Sequence, residues 1–297
     1  MRLFKHTRPH FDFLQKKWKK RHAEKTEKLF DKHLKTVAMT SLGGLMLLST
    51  PAISPSATIV NHELLNGNIY ENGNQSVEDG LSTNKQLAEQ LKNIVPDEDR
   101  KLSDEEDSKI EEIIHSSLGI PVAAELEGKR LNRTFGVMGG EQHLYRYPGD
   151  TVHAHARTAH DWAMYGPSGI APGLGAFGYF AQSKSEMTPE IEDRERYYIA
   201  VQTFLSPGFA ERVGEYRDFY RFRKMLVVNP KTGQAVVTVI GDAGPGVSTK
   251  KHLGGSPEVM HFLGIAKGPR KGAVLYYFID DPENTIPLGP VSPKGTT

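Results

Sequence analysis

From Arg130 onward the apolar positions fall in short, dense runs rather than at helical intervals, which predicts β structure. Strands are expected over Tyr197 to Leu205, Arg223 to Asn229, Gln234 to Ile240 and Ala273 to Ile279. Asn229-Pro-Lys-Thr-Gly233 lies between the second and third of these. It supplies a proline, a polar tip and a glycine, and so predicts a hairpin turn. One helix is expected over Ser256 to Gly264, with Ser256 as N-cap and Pro257 in the first position. Val259, Met260 and Leu263 form its apolar face, and Gly264 is its stop. About 160 residues of this character suit a small closed barrel with insertions.

Upstream the pattern changes. Residues 54–129 are poor in aromatics and rich in Asn, Ser, Asp and Glu, and 61–80 show no apolar periodicity, so the stretch reads as a polar linker. Two short helices interrupt it. Thr83-Asn-Lys-Gln86 opens like a capping box, followed by Leu87, Leu91 and Ile94. Ser103-Asp-Glu-Glu106 is a second capping box, followed by Ile110, Ile113 and Ile114, and Gly119 and Pro121 stop that helix. The acidic block from Asp97 to Glu112 reads as a solvated helix face, since it lacks the spacing of a calcium loop.

Charge divides the remainder. Residues 1–35 hold about twelve Lys/Arg against about four acids, and an uncharged apolar run follows from Thr36 to Ile53. A basic flank before an apolar run is the order of a secretory signal or a signal anchor. The charge bias places the N-terminus in the cytoplasm and the rest outside. The run is just short of the about 20 residues of a membrane span and is diluted by Thr40, Ser41, Gly43 and Gly44, which favours cleavage. The long basic flank and the lack of a clean cleavage site favour retention, so both alternatives stay open. The whole chain has 297 residues, a net charge of +1 and no cysteine. That balance excludes a nucleic-acid-binding polycation, and the missing thiols exclude disulfides, a thiol nucleophile and Cys-bound metal.

Two segments carry a resemblance. Val227 to Pro245 reads V-V-N-P-K-T-G-Q-A-V-V-T-V-I-G-D-A-G-P, and Leu253 to Gly264 reads L-G-G-S-P-E-V-M-H-F-L-G. The first is similar, without a gap, to the hairpin and N-D-R-G-P turn of the rare-lipoprotein-A-like double-psi β-barrel. The second is similar to that family's I-D-L-S-x-x-A-x-x-x-L-G helix. Gly175 to Tyr179 weakly resembles its opening strand, G-x-A-S-W-Y-G. The resemblance implies a six-stranded double-psi barrel that binds or remodels peptidoglycan or a related cell-wall glycan. In lytic transglycosylases of the family the Asp of the turn is the proposed acid/base, and its place here is Asp242. It would protonate the glycosidic oxygen and then accept a proton from the sugar's own 6-hydroxyl. Asp242 would otherwise only bond the backbone of its turn. The chain departs from the family where Ala243 replaces the Arg, Gly254 replaces the Asp of I-D-L-S, and the upstream Glu and His find no match. The barrel is therefore either an enzyme or a non-catalytic glycan-binding module.

Other residues complete the candidates. His252 stands just before the family-like helix, as a partner for Asp242 across the loop 246–251 or as an exposed loop residue. Tyr216, Tyr220, Phe222 and Tyr276 are candidate stacking faces for sugars. His153, His155 and His160 form the densest group of metal-ligand types, with His143 ten residues before the first. On a strand His153 and His155 would share a face, as a metal pair needs, which opens a metallohydrolase alternative; a surface histidine loop is the other reading. The expected architecture is mainly β: a basic segment 1–35, a hydrophobic helix 36–53, a partly helical linker 54–129 and a barrel domain 130–297. Expected partners are a cell-wall glycan and the membrane through 36–53, with no nucleic acid and no cofactor.

Overall fold

Strand-forming runs here are apolar on both faces, because both faces of the sheet are covered. The computed structural model describes residues 83–291, which belong to one compact unit. The basic segment, the hydrophobic run 36–53 and the first part of the expected linker lie outside the described residues. Among the described residues no helix is long and apolar enough to cross a membrane.

Six strands close a mixed β-barrel: β4 (Phe135–Gly140), β5 (Tyr198–Val201), β6 (Lys224–Val228), β7 (Ala235–Ala243), β8 (Leu253–Gly255) and β9 (Lys271–Ile279). Around the ring the order is β9-β4-β8-β5-β7-β6, and β6 pairs back onto β9. Two pairs are parallel, β4 with β8 and β5 with β7; the others are antiparallel. Short strands β1 (Val122–Ala123) and β10 (Gly289–Pro290) extend the sheet on β9 and β7, and β2 (Glu125–Leu126) pairs with β3 (Lys129–Arg130) apart from it.

The barrel interior holds Met138, Ile199, Val227, Val236, Ile240 and Leu253. Helices α5 (Val213–Tyr220) and α6 (Pro257–Phe262) join this core through Tyr216, Phe219 and Tyr220 and through Val259 and Met260. The outer face of β6, β7 and β9 is also apolar. Leu226, Val237, Leu275 and Tyr277 pack against Leu87 and Leu91 of helix α1 (83–92) and Ile110 and Ile114 of helix α2 (Asp104–Leu118). The two helices expected within a linker are thus a layer of the barrel domain. The capping box of Ser103 forms as the sequence predicts, with Glu106 bonding back to the Ser103 N–H at 2.8 Å. The acidic block is not wholly solvated. Asp107 is buried, and its carboxylate accepts from the Tyr277 hydroxyl (2.8 Å), the Arg130 guanidinium (2.8 Å) and the Thr134 hydroxyl.

The hairpin forms where the sequence places it. Asn229 Oδ1 accepts from the Lys231 N–H, and Gly233 takes the left-handed conformation the turn requires, φ 72°. The expected helix over 256–264 is observed as Pro257–Phe262 with Ser256 as N-cap. The Ser256 hydroxyl accepts from the Val259 N–H (3.2 Å) and donates to the Arg196 carbonyl (2.6 Å), joining α6 to the end of α4 (Pro189–Arg196). Ser256→Ala removes both bonds and is expected to cost about 1 kcal/mol in urea unfolding. An unchanged midpoint would mean the cap is dispensable.

Three expectations are corrected. The strand begun at Tyr197 pairs only over Tyr198–Val201, and 203–205 form a 3₁₀ turn. Gly175 to Tyr179 is a loop; the first barrel strand is Phe135–Gly140. His153 and His155 lie in a 3₁₀ turn, Val152–His155, and not on a strand.

The segment after β9 is pinned by Asp281. Its carboxylate accepts from Lys224 Nζ (2.7 Å), the Ile286 N–H (2.9 Å) and the N–H and hydroxyl of Thr285. Burial works against the charge, yet these donors hold the carboxyl down to about 2. A carboxyl lowered in the folded state stabilises above the ordinary aspartate value, and this is lost as pH falls from about 4 towards 2. Asp281→Asn should therefore lower the Tm at pH 6, and the gap to the parent should shrink as pH is lowered through that window. A constant gap at every pH would refute the assignment.

Candidate functional site

The position of Asp242 follows from one irregularity in β7. Ile199 pairs with Ile240, but Ala200 pairs with Asp242, so Gly241 is an extra residue in the ladder. Ile240 points into the barrel core. Side chains alternate along a strand, so Asp242, two positions on, would point there too without the bulge. The bulge turns it outward into one row with Ala200 and, across β5, Gly254.

Each end of that row carries an acid. Asp242 Oδ1 accepts from the N–H groups of Ala176 (2.6 Å) and Ala243 (2.8 Å), and no described residue bonds Oδ2. Glu141 lies over Gly254, where even a methyl group would run into its carboxylate. Lys251 Nζ donates to Glu141 Oε1 at 3.0 Å. Adjacent strands lie about 4.8 Å apart, so the backbones of Gly254 and Asp242 are about 10 Å apart. Asp242 and Glu141 are half-buried, and the small side chain of Ala200 between them is buried. Gln202 Nε2 closes the adjoining loop by donating to the carbonyls of Pro245 (2.9 Å) and Lys251 (3.2 Å). A carboxylate with one oxygen fixed by backbone donors and the other free can exchange a proton at the free oxygen.

The other expected site residues disperse. His252 does not bond Asp242: its Nδ1 accepts from the Val137 N–H at 2.9 Å, and its Nε2 meets the Arg133 guanidinium. Burial and then the Arg133 charge lower its pKa, against a weaker pull from Asp99. Tyr216, Tyr220 and Tyr276 are buried in the barrel core, so their faces are not presented to a sugar. Phe222 is half-buried, stacks on Phe180 with ring centroids 5.2 Å apart, and lines a surface cleft with Arg194, Lys224 and Leu288. His153 stacks on Trp162 at 4.1 Å, and His160 is exposed on α3 (Ala159–Tyr165).

His155 alone of the three turns inward, where it meets His143 and Glu195. Its Nδ1 lies 2.8 Å from Glu195 Oε2 and its Nε2 2.9 Å from Asp150 Oδ2. A carboxylate only accepts, so both ring nitrogens carry protons and the ring is charged. Burial disfavours that charge, but hydrogen bonds to Asp150 and Glu195 push the pKa up to about 9. His143 Nδ1 is 3.3 Å from Glu195 Oε1, which also accepts from the Leu144 N–H at 3.0 Å. Burial opposes the charge of Glu195, yet bonds from His143 and His155 hold its carboxyl down to about 2. Asp150 is likewise held well below its usual range against burial, by bonds from His155 and Arg146. Two buried atoms beside this network have no hydrogen-bond partner, His143 Nε2 and Glu258 Oε2. Burial pushes the Glu258 carboxyl up to about 7.

Glu141 and Glu195 were not legible as site residues. Glu195 sits in Glu-Asp-Arg-Glu-Arg, which reads as a solvated face; its one signal is that it lies a helical turn after Ile191. No family model matches the chain, and no curated protein matches it.

Proposed function

We propose that the chain is an exported cell-envelope protein. In this reading its barrel is of the double-psi, rare-lipoprotein-A-like kind and binds and remodels peptidoglycan or a related glycan. The observation that carries the reading is the bulge that turns Asp242 to the outer face, half-buried and with Oδ2 free of bonds to described residues. The closed six-stranded mixed barrel, with the hairpin and helix at the positions the resemblance requires, supports the family assignment. In the cleavage step Asp242 gives a proton to the glycosidic oxygen as the bond from the sugar C1 breaks. The sugar's 6-hydroxyl closes on C1 and returns its proton to Asp242. The Glu141–Lys251 pair forms the opposite polar wall and contacts hydroxyl groups. The run 36–53 tethers or exports the chain.

The test incubates the full chain with purified peptidoglycan, separates bound from free protein, and analyses the soluble products for anhydro-sugar ends. Binding with anhydro products is the expected result. Binding without products reduces the proposal to a glycan-binding module, and the absence of both binding and products removes it. Protease added to spheroplasts should digest the part after Ile53; full protection would refute export.

A further inference from the structure

We propose that His143, His155 and Glu195 form a structural site for one divalent transition metal ion of the zinc class, which ties the two ends and the middle of the insertion 141–196 to one another. The inference goes beyond the glycan reading and does not depend on it. Each residue comes from a different segment: His143 from the loop after β4, His155 from the 3₁₀ turn, and Glu195 from α4. All three are buried, and one ligand atom from each lies within 4.8 Å of the other two. Two imidazoles and a carboxylate are a donor set that zinc-class ions take and that calcium and magnesium do not.

The spacing fits. Two ligand atoms about 2.1 Å from one tetrahedral ion are about 3.4 Å apart. His143 Nδ1 already stands 3.3 Å from Glu195 Oε1 and His155 Nδ1 2.8 Å from Glu195 Oε2, so the carboxylate would meet the ion with both oxygens or swing one onto it. Entry of an ion asks for an opening of a few tenths of an ångström at His155 and for loss of the proton between the pair.

The surroundings are those of a ligand set. A ligating histidine usually donates its other N–H to a carboxylate, which fixes the ring. His155 does so to Asp150, which is held in turn by the Arg146 side chain and the Thr151 N–H. Glu195 is oriented by the Leu144 N–H. His143, ligating through Nδ1, would carry its proton on Nε2, the buried ring atom left without a partner. The carboxylates of Glu195 and Asp150 supply negative charge opposite the ion, Asp150 being shared with Arg146. The burial of all three ligands denies a substrate access, so the role is structural, as the convergence of three chain segments also indicates.

The experiment uses the full chain, purified without a polyhistidine tag from zinc-supplemented medium. The expected result is about one zinc per chain, a Tm that falls by several degrees on chelation, and recovery with Zn²⁺ but not with Mg²⁺ or Ca²⁺. Glu195→Gln and His155→Ala should lose the metal, while His153→Ala and His160→Ala, at exposed positions, should keep it. If the ligand variants do not fold, Co²⁺ bound to the parent chain should show the visible absorption of a tetrahedral nitrogen–oxygen site. Zinc below about a tenth per chain, with a Tm indifferent to added Zn²⁺, would overturn the proposal. So would metal retained undiminished in folded Glu195→Gln.

Discussion

Asp242→Asn is expected to lower glycan cleavage by about 10²–10⁴, the usual loss when a general acid/base is removed, while glycan binding persists. The asparagine side chain keeps Oδ1, so the N–H groups of Ala176 and Ala243 retain their acceptor and the loop 175–176 stays in place. What is lost is the exchangeable proton at the second oxygen. Asp242→Ala separates the two uses of the residue. It removes the proton carrier and also the clasp on Ala176, so it should add a stability loss of about 1 kcal/mol that the asparagine variant does not show. An asparagine variant with full activity would leave Asp242 as a loop clasp only. His252→Ala should leave the rate unchanged, because His252 is bonded to Val137 and Arg133 rather than to Asp242.

Asp107→Ala is expected to destabilise the domain by about 3–5 kcal/mol, because it breaks a buried charge pair by removing one partner. The Tyr277 and Thr134 hydroxyls lose their acceptor inside an apolar layer, and Arg130 keeps only Asp104, an exposed carboxylate. For a unit of this size the Tm should fall by roughly 10 °C. Tyr277→Phe removes one donor and leaves the carboxylate with two, so about 1 kcal/mol is expected. A loss below 1 kcal/mol for Asp107→Ala would mean that α2 is not anchored through this contact.

Local signals were the legible part. The hairpin announced itself in Asn-Pro-Lys-Thr-Gly and the helix after it in Ser-Pro, since turn and cap chemistry acts within a few residues. Phe135–Gly140 was hidden because Phe-Gly-Val-Met-Gly-Gly has little β propensity. Its glycines are explained only by what packs over them: His252 over Gly136, Lys251 over Gly139 and Arg270 over Gly140. Tyr216 and Tyr220 drew notice as aromatics, but their spacing of four, with Phe219 between, is the inward stripe of a helix. The buried network failed to show for a different reason. His143 and His155 already stood out among the histidines, but Glu195, 40 residues after His155, joins them only through tertiary structure, and His153 and His160 looked equally apt.

The extra residue at Gly241 bears on how divergent versions of this chain are to be compared. Losing Gly241 would remove the bulge along with the residue, so the acid would follow Ile240 directly, stay opposite Ala200 and still face outward. Keeping the residue without the bulge would instead turn the carboxylate into an apolar interior where its charge is costly. A chain one residue shorter here and a chain with the bulge therefore present the acid on the same face. Register against Ala200, more than the count of residues from Ile240, tells whether a distant relative keeps its acid on the outside of the barrel.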